Sequence, residues 1–130
     1  VSDSILLPGG RDVRASLDTA GGDADDDGTD EPASDTCVVA CPPHPQHRGH
    51  RGDERLVAVG DYLTDHGVDC LRFDYGDWDE GYGELADTYA ALDWAFGRYE
   101  RAGLFGFSFG GCEALLAAAG ASPSGGTAAP

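Results

Sequence analysis

The chain has 130 residues, 41% of them apolar, and a formal charge of -16, with eight Arg as its only Lys or Arg cations. That length holds one domain around one core, and the charge disfavours nucleic acid as a partner. No run approaches the 18 apolar residues of a membrane span, and the first residues, Val1-Ser2-Asp3-Ser4, lack the basic and apolar regions of an export signal, so the expectation is a cytoplasmic protein with no membrane partner.

Six of the nine residues from Asp23 to Glu31 are acidic, which suggests one solvated acidic loop. Setting them aside still leaves eighteen carboxylates against eight Arg. The acidity is therefore spread over the whole surface. Such a surface repels itself at low ionic strength and is relieved at about molar salt, where the screening length falls to about 3 Å. A salt-adapted host is implied.

In chain order, Ile5-Leu6-Leu7 and the alternating Val13, Ala15 and Leu17 flank Pro8-Gly9-Gly10 and predict a β-hairpin. Residues 19–35 are mostly Gly, Asp, Ala and Thr without apolar period, an exposed acidic loop. Cys37 to Cys41 is a continuous apolar run, the pattern of a strand covered on both faces, and Pro42-Pro43 ends it. Asp53 is placed to cap a helix with Leu56, Val59 and Leu63 on one face and Gly67 at its end. Val68 to Tyr75 predicts a strand. Leu85, Tyr89, Leu92, Phe96 and Tyr99, at steps of four and three, predict a helix. Gly103 to Phe107 predicts a third buried strand, and Cys112, Leu115, Leu116 and Ala119 mark the expected inner face of a last helix. The four cysteines, Cys37, Cys41, Cys70 and Cys112, are expected as buried, reduced thiols.

Strand and helix alternate three times after the hairpin. The fold class expected is α/β, a three-layer sandwich with a mostly parallel sheet and an N-terminal hairpin. Ligands in such folds bind beyond the carboxyl ends of the strands, here the loops starting at Pro42, Gly76 and Ser108.

The last of these carries Gly106-Phe107-Ser108-Phe109-Gly110, between a predicted strand and helix. A nucleophilic serine on a sharp strand-to-helix turn needs small residues two before and two after it, which Gly106 and Gly110 provide. The helix start supplies amide protons for a developing oxyanion, with the Phe109 N–H the expected first donor. The competing readings are a tight packing turn and a phosphate loop. A Walker loop requires a Lys that the chain lacks, and G-x-G-x-x-G does not fit Gly106 to Gly111.

From about Cys37 to Gly120 the sequence resembles the α/β-hydrolase superfamily, and within it the dienelactone hydrolase and small-esterase group, including haloarchaeal members. Three segments carry the resemblance: Gly106 to Gly111, Pro43-His44-Pro45-Gln46-His47-Arg48-Gly49, and Leu71-Arg72-Phe73-Asp74-Tyr75-Gly76. It implies that the second segment contributes another oxyanion donor, assigned to the N–H of Gln46 with His47 in reserve, since Pro45 has none. It implies hydrolysis of an ester or related acyl bond of a small molecule through an acyl-enzyme on Ser108, with no cofactor. The third segment departs from the family's Arg-Gly-x-Gly-x-Ser turn. Asp77, Asp79 and Glu80 are given no role, and Trp78 is expected to fold back on the core.

In that superfamily the acid and the histidine follow the serine in chain order. Beyond Ser108 the only acidic side chain is Glu113 and there is no His, so the expectation is an α/β-hydrolase domain over residues 1–130 truncated at its C-terminus. The open sheet edge then invites self-association or pairing with the missing segment, and the alternative function is a non-catalytic remnant or interaction protein. Two further ideas are weaker. His44, His47 or His50 replaces the missing histidine, or these three with Cys41 hold zinc, although Pro43 and Pro45 oppose a helical arrangement of ligands.

Overall fold

The computed structural model describes residues 2–9, 11–21 and 34–120. The hairpin is formed by β1 (Ser2–Leu7) and β2 (Val13–Asp18), paired antiparallel from Ser2↔Asp18 to Leu7↔Val13. After it come β3 (Thr36–Cys41), α1 (Glu54–Asp65), β4 (Asp69–Phe73), α2 (Tyr82–Phe96), β5 (Arg101–Gly106) and α3 (Phe109–Gly120). The sheet order is β1-β2-β4-β3-β5, with β4, β3 and β5 parallel and β2 antiparallel to β4. Most of the expected acidic loop, residues 22–33, lies outside the described residues.

Side chains alternate between the two faces of a strand, and the two core clusters follow that period. Cys37, Val39 and Cys41 of β3 and Leu71 and Phe73 of β4 pack with Ala91, Leu92 and Ala95 of α2 and Ala114 of α3. Ala40 of β3 and Cys70 of β4 pack on the other face with Leu56 of α1. One helix on one face and two on the other make the three-layer sandwich.

The Asp53 cap forms as expected: its carboxylate accepts from the Arg55 amide at 2.9 Å. The Arg55 guanidinium also bonds it, and holds the Asp53 carboxyl down at about 2. Helix α2 ends at Phe96, three residues before the expected Tyr99. Tyr99 is nonetheless buried, because the chain turns at Gly97 and its hydroxyl donates to Asp69 at 2.7 Å. The other Asp69 oxygen accepts from the Ala20 amide at 2.8 Å, so one fully buried carboxylate ties the start of β4 to the segments after β2 and α2.

Two expectations fail on α3. Its inner face is Gly110, Glu113, Ala114, Ala117 and Gly120, while Leu115 is 75% and Leu116 is 50% exposed. Cys112 is also exposed, unlike the buried Cys37, Cys41 and Cys70, and all four are free thiols. A helix apolar all round has no polar face to orient it. Close approach decides instead, and the small residues are the ones that let α3 sit against β3, β5 and α2. Strand β5 pairs over Arg101–Gly106, with Phe107 beyond the ladder. Its middle is half-buried rather than buried, since β5 has no strand on its outer edge among the described residues.

Candidate active site

The sheet brings three loops to one edge, those after β3, β4 and β5. At the last of them β5 runs into Phe107 and Ser108, and α3 begins one residue later. Ser108 has φ +58, a left-handed conformation uncommon outside glycine, and its side chain is exposed. The turn closes through Gly110 N–H to Phe107 O and Gly111 N–H to Ser108 O, both 3.0 Å. The Phe109 N–H leads the helix and has no backbone acceptor among the described residues.

The glycine spacing has a measurable cause. A Cβ on Gly106 would fall 2.2 Å from the carbonyl oxygen of Gly110, and one on Gly110 would fall 2.2 Å from that of Cys41 and 2.5 Å from that of Pro42. The elbow therefore lies against the end of β3, where the second loop starts. Tyr75 fastens the same point: its buried hydroxyl donates to Pro42 O at 2.9 Å, and its ring meets Phe109 edge-on at 5.6 Å. Burial first, then the surrounding negative groups, push the Tyr75 hydroxyl upward and keep it a donor. Tyr75→Phe leaves that carbonyl unpaired, and urea unfolding is expected to show a loss of about 1–2 kcal/mol.

The second loop makes one 3-10 turn at Pro45–His47. Gln46 N–H donates to His44 Nδ1 at 3.1 Å, and His47 N–H and Gly49 N–H both donate to His44 O at 3.0 Å. Both amides expected to serve an oxyanion are thus turned onto His44. The His44 ring is packed between loops, 4.6 Å from His47, 4.4 Å from Trp78 and 4.9 Å from Phe109. Trp78 therefore does not fold onto the core. It leans across to the elbow, and the aromatic partners in the other two loops draw it there. Over Phe107, on the α1 side, the Arg55 guanidinium sits 3.9 Å from the ring centre.

The third loop is held by buried acids of α2. Asp87 accepts from Gly76 N–H at 2.8 Å and from Arg11 Nε at 2.7 Å, while Glu84 accepts from the amides of Asp79 and Gly81, each at 2.8 Å. Arg11 also donates to Asp77 O at 2.6 Å. A cleft of about 520 Å³ beside this loop is lined by Arg11, Asp12, Arg14, Asp74, Tyr75, Gly76 and Asp77 and does not include Ser108.

The architecture has known counterparts. XC6422 of Xanthomonas campestris, described as an α/β serine hydrolase without lid, matches over 91% of this chain and 56% of its own, with TM-score 0.75 and 23% identity. The chain has a partial α/β-hydrolase fold. Dienelactone hydrolase from Anabaena variabilis superposes with TM-score 0.67 at 18% identity, over 92% of this chain and 57% of that one. An uncharacterized Rickettsia prowazekii protein, RP471, is 32% identical over 83 residues, 56% of this chain and 35% of its own. No family model matches the sequence. The chain thus spans about half the length of the solved structures above and about a third of the curated relative.

Within this α/β-hydrolase fold the local histidines are occupied elsewhere. His44 Nδ1 takes the Gln46 amide, His50 Nδ1 takes the Gly52 amide at 3.0 Å, and the exposed His47 lies flat on His44. Cys41, His44, His47 and His50 do not come together either. Among the described residues no group of three or more His, Cys, Asp or Glu is arranged to hold a metal ion. The Cys41 thiol is buried at the end of β3 and pushed up to about 12, chiefly by that burial. Also among the described residues, no helix is long and apolar enough to cross a membrane.

Three residues next to the elbow were not visible as such in the sequence. Tyr75 was read as the end of a strand, Trp78 sits in a turn-rich stretch without period, and Glu113 stands alone in an apolar helix. The only signal for Glu113 was its isolation, a charge in a segment that is otherwise apolar.

Proposed function

We propose that this chain is the nucleophile-bearing part of a serine hydrolase that acts on ester or related acyl bonds of small molecules. One observation carries the reading: Ser108 stands at φ +58 on a strand-to-helix turn whose flanking glycines are in backbone contact too close for any other residue. The fold shared with structures named as serine hydrolase and dienelactone hydrolase supports it.

In this reading Ser108 Oγ attacks the acyl carbon while a histidine from outside the described residues takes its proton and delivers it to the leaving alcohol or amine. Water, activated by the same base, then cleaves the acyl-enzyme and regenerates the serine. Phe109 N–H and Gln46 N–H hold the oxyanion. Gln46 serves only after its amide turns away from His44, so the second donor is made available as substrate binds.

A fluorophosphonate probe tests this on the full-length protein. Labelling of Ser108 at close to one equivalent, abolished in Ser108→Ala, is the expected result. In the 130-residue chain alone the same labelling should be slower by about a thousandfold or more, since a serine without its base keeps its proton. An unreactive Ser108 in the folded full-length protein defeats the reading. It would favour the second one, an interaction protein that pairs through the edge of β5, which has no partner strand among the described residues.

A further inference from the structure

Glu113 lies on the inner side of α3, five residues past Ser108. It is 3% exposed, and its Oε2 is buried with no hydrogen-bond partner among the described residues. A Cβ on Gly81 would sit 3.5 Å from its other oxygen, so the carboxyl abuts the residue that opens α2. The groups facing it are Glu84 and Asp87 from α2, the Cys41 thiol at the end of β3 and the Tyr75 hydroxyl after β4. The nearby cation, Arg11, is bonded to Asp87. A buried carboxylate placed among two others without a donor of its own is costly, and a proton removes the cost.

Glu84 and Asp87 are the same groups that hold the third loop, through the amides of Gly76, Asp79 and Gly81. That loop carries Trp78 to His44 and the elbow. Its departure point is already strained, with Glu80 at φ +55 followed by Gly81 at φ +90.

We propose that Glu113 is a proton-operated latch on the Gly76–Gly83 loop: neutral, it leaves Glu84 and Asp87 free to hold the loop amides and Trp78 beside Ser108; ionised, it drives the three carboxylates apart and releases the loop. The range in which this acts is set by burial first, then by the charges on Glu84 and Asp87, which push the Glu113 carboxyl up to about 7. A carboxyl raised in the folded state weakens the fold as pH rises. The penalty is absent below the unfolded value near 4.5 and complete above about 7. The site is thus closed on the acid side of neutrality and open on the alkaline side. This does not depend on Ser108 being reactive.

The test is a pH titration of the full-length protein by amide and carboxyl NMR. The Gly76, Asp79 and Gly81 amides should shift together, with the midpoint of the Glu113 carboxyl, and their exchange corrected for pH should speed up by about tenfold across it. In Glu113→Gln, which keeps every histidine near Trp78, that shared transition should vanish and the acid-side protection should persist. Should that variant not fold, the wild-type carboxyl and amide midpoints still decide. Loop amides that stay fixed while Glu113 titrates, or a transition that survives in Glu113→Gln, would overturn the latch.

Discussion

Gly110→Ala is expected to abolish folding or to cost about 3–5 kcal/mol, whereas Gly111→Ala one residue later should stabilise the protein. The added methyl at 110 points at the backbone carbonyls of Cys41 and Pro42, at 2.2 and 2.5 Å, and neither can move without breaking the end of β3 out of the sheet. Relief requires α3 to back away by about 1 Å, which undoes the packing of its small-residue face. Against a total stability of about 5–15 kcal/mol for a domain, that is decisive. At Gly111 the nearest atom to the new methyl is Gly106 O at 3.4 Å, an ordinary contact, and the position is helical. Alanine there lowers the entropy of the unfolded chain and adds about 0.5–1 kcal/mol. Thermal unfolding of the two variants measures both signs. Equal tolerance at 110 and 111 would mean that the elbow is not held against β3 and that its glycines carry no steric demand.

How far the sequence reveals this fold depends on what kind of force fixes each part. Strand β3 was legible because a strand covered on both faces is a continuous apolar run, and the elbow was legible because its demand is steric and local. The facing of α3 was not, because Cys112, Leu115 and Leu116 give as good an apolar stripe as Ala114 and Ala117. Tertiary approach chose the smaller set. The loop after β4 resisted for another reason. From Gly76 on its residues look like turn and solvent, yet just before it Tyr75 hydrogen-bonds across to Pro42, 33 residues away, and Trp78 packs its ring against His44 in the loop after β3. The segment from Pro43 to Gly49 was singled out by resemblance, but the orientation of its amides was not. Whether Gln46 N–H points at a substrate or at His44 is set by one imidazole, and no pattern of residue types encodes that.

Arg72 was visible as part of a shared segment, and the structure gives it a purpose unrelated to chemistry. It lies on β4, 8% exposed, and makes two parallel bonds to Asp18 at the end of β2, Nε to Oδ2 at 2.7 Å and Nη2 to Oδ1 at 2.9 Å. Its remaining arm donates to Arg51 O at 2.7 Å, reaching the loop before α1. Burial pushes the Asp18 carboxyl up, but the bonds from Arg72 and from the Ser2 hydroxyl outweigh it and leave the net direction downward. Arg72→Met removes the partner and keeps the buried charge, so a loss of about 3–5 kcal/mol is expected at neutral pH. The sign of its pH dependence follows. In the wild type the stabilisation from Asp18 is present above the unfolded value of 3.8 and is lost as pH falls through the lower folded one. In the variant, burial is opposed by the Ser2 hydroxyl bond but no longer by Arg72, which shifts the balance toward the protonated acid, so the deficit relative to wild type shrinks on acidification. Urea unfolding at pH 7 and near pH 4 measures it, and Asp18→Asn in the same background should recover part of the loss. Added salt should not, because a pair this buried is beyond the screening that relieves the acidic surface. A deficit that disappears in molar salt would place the Arg72 contribution on the surface and not in the sheet.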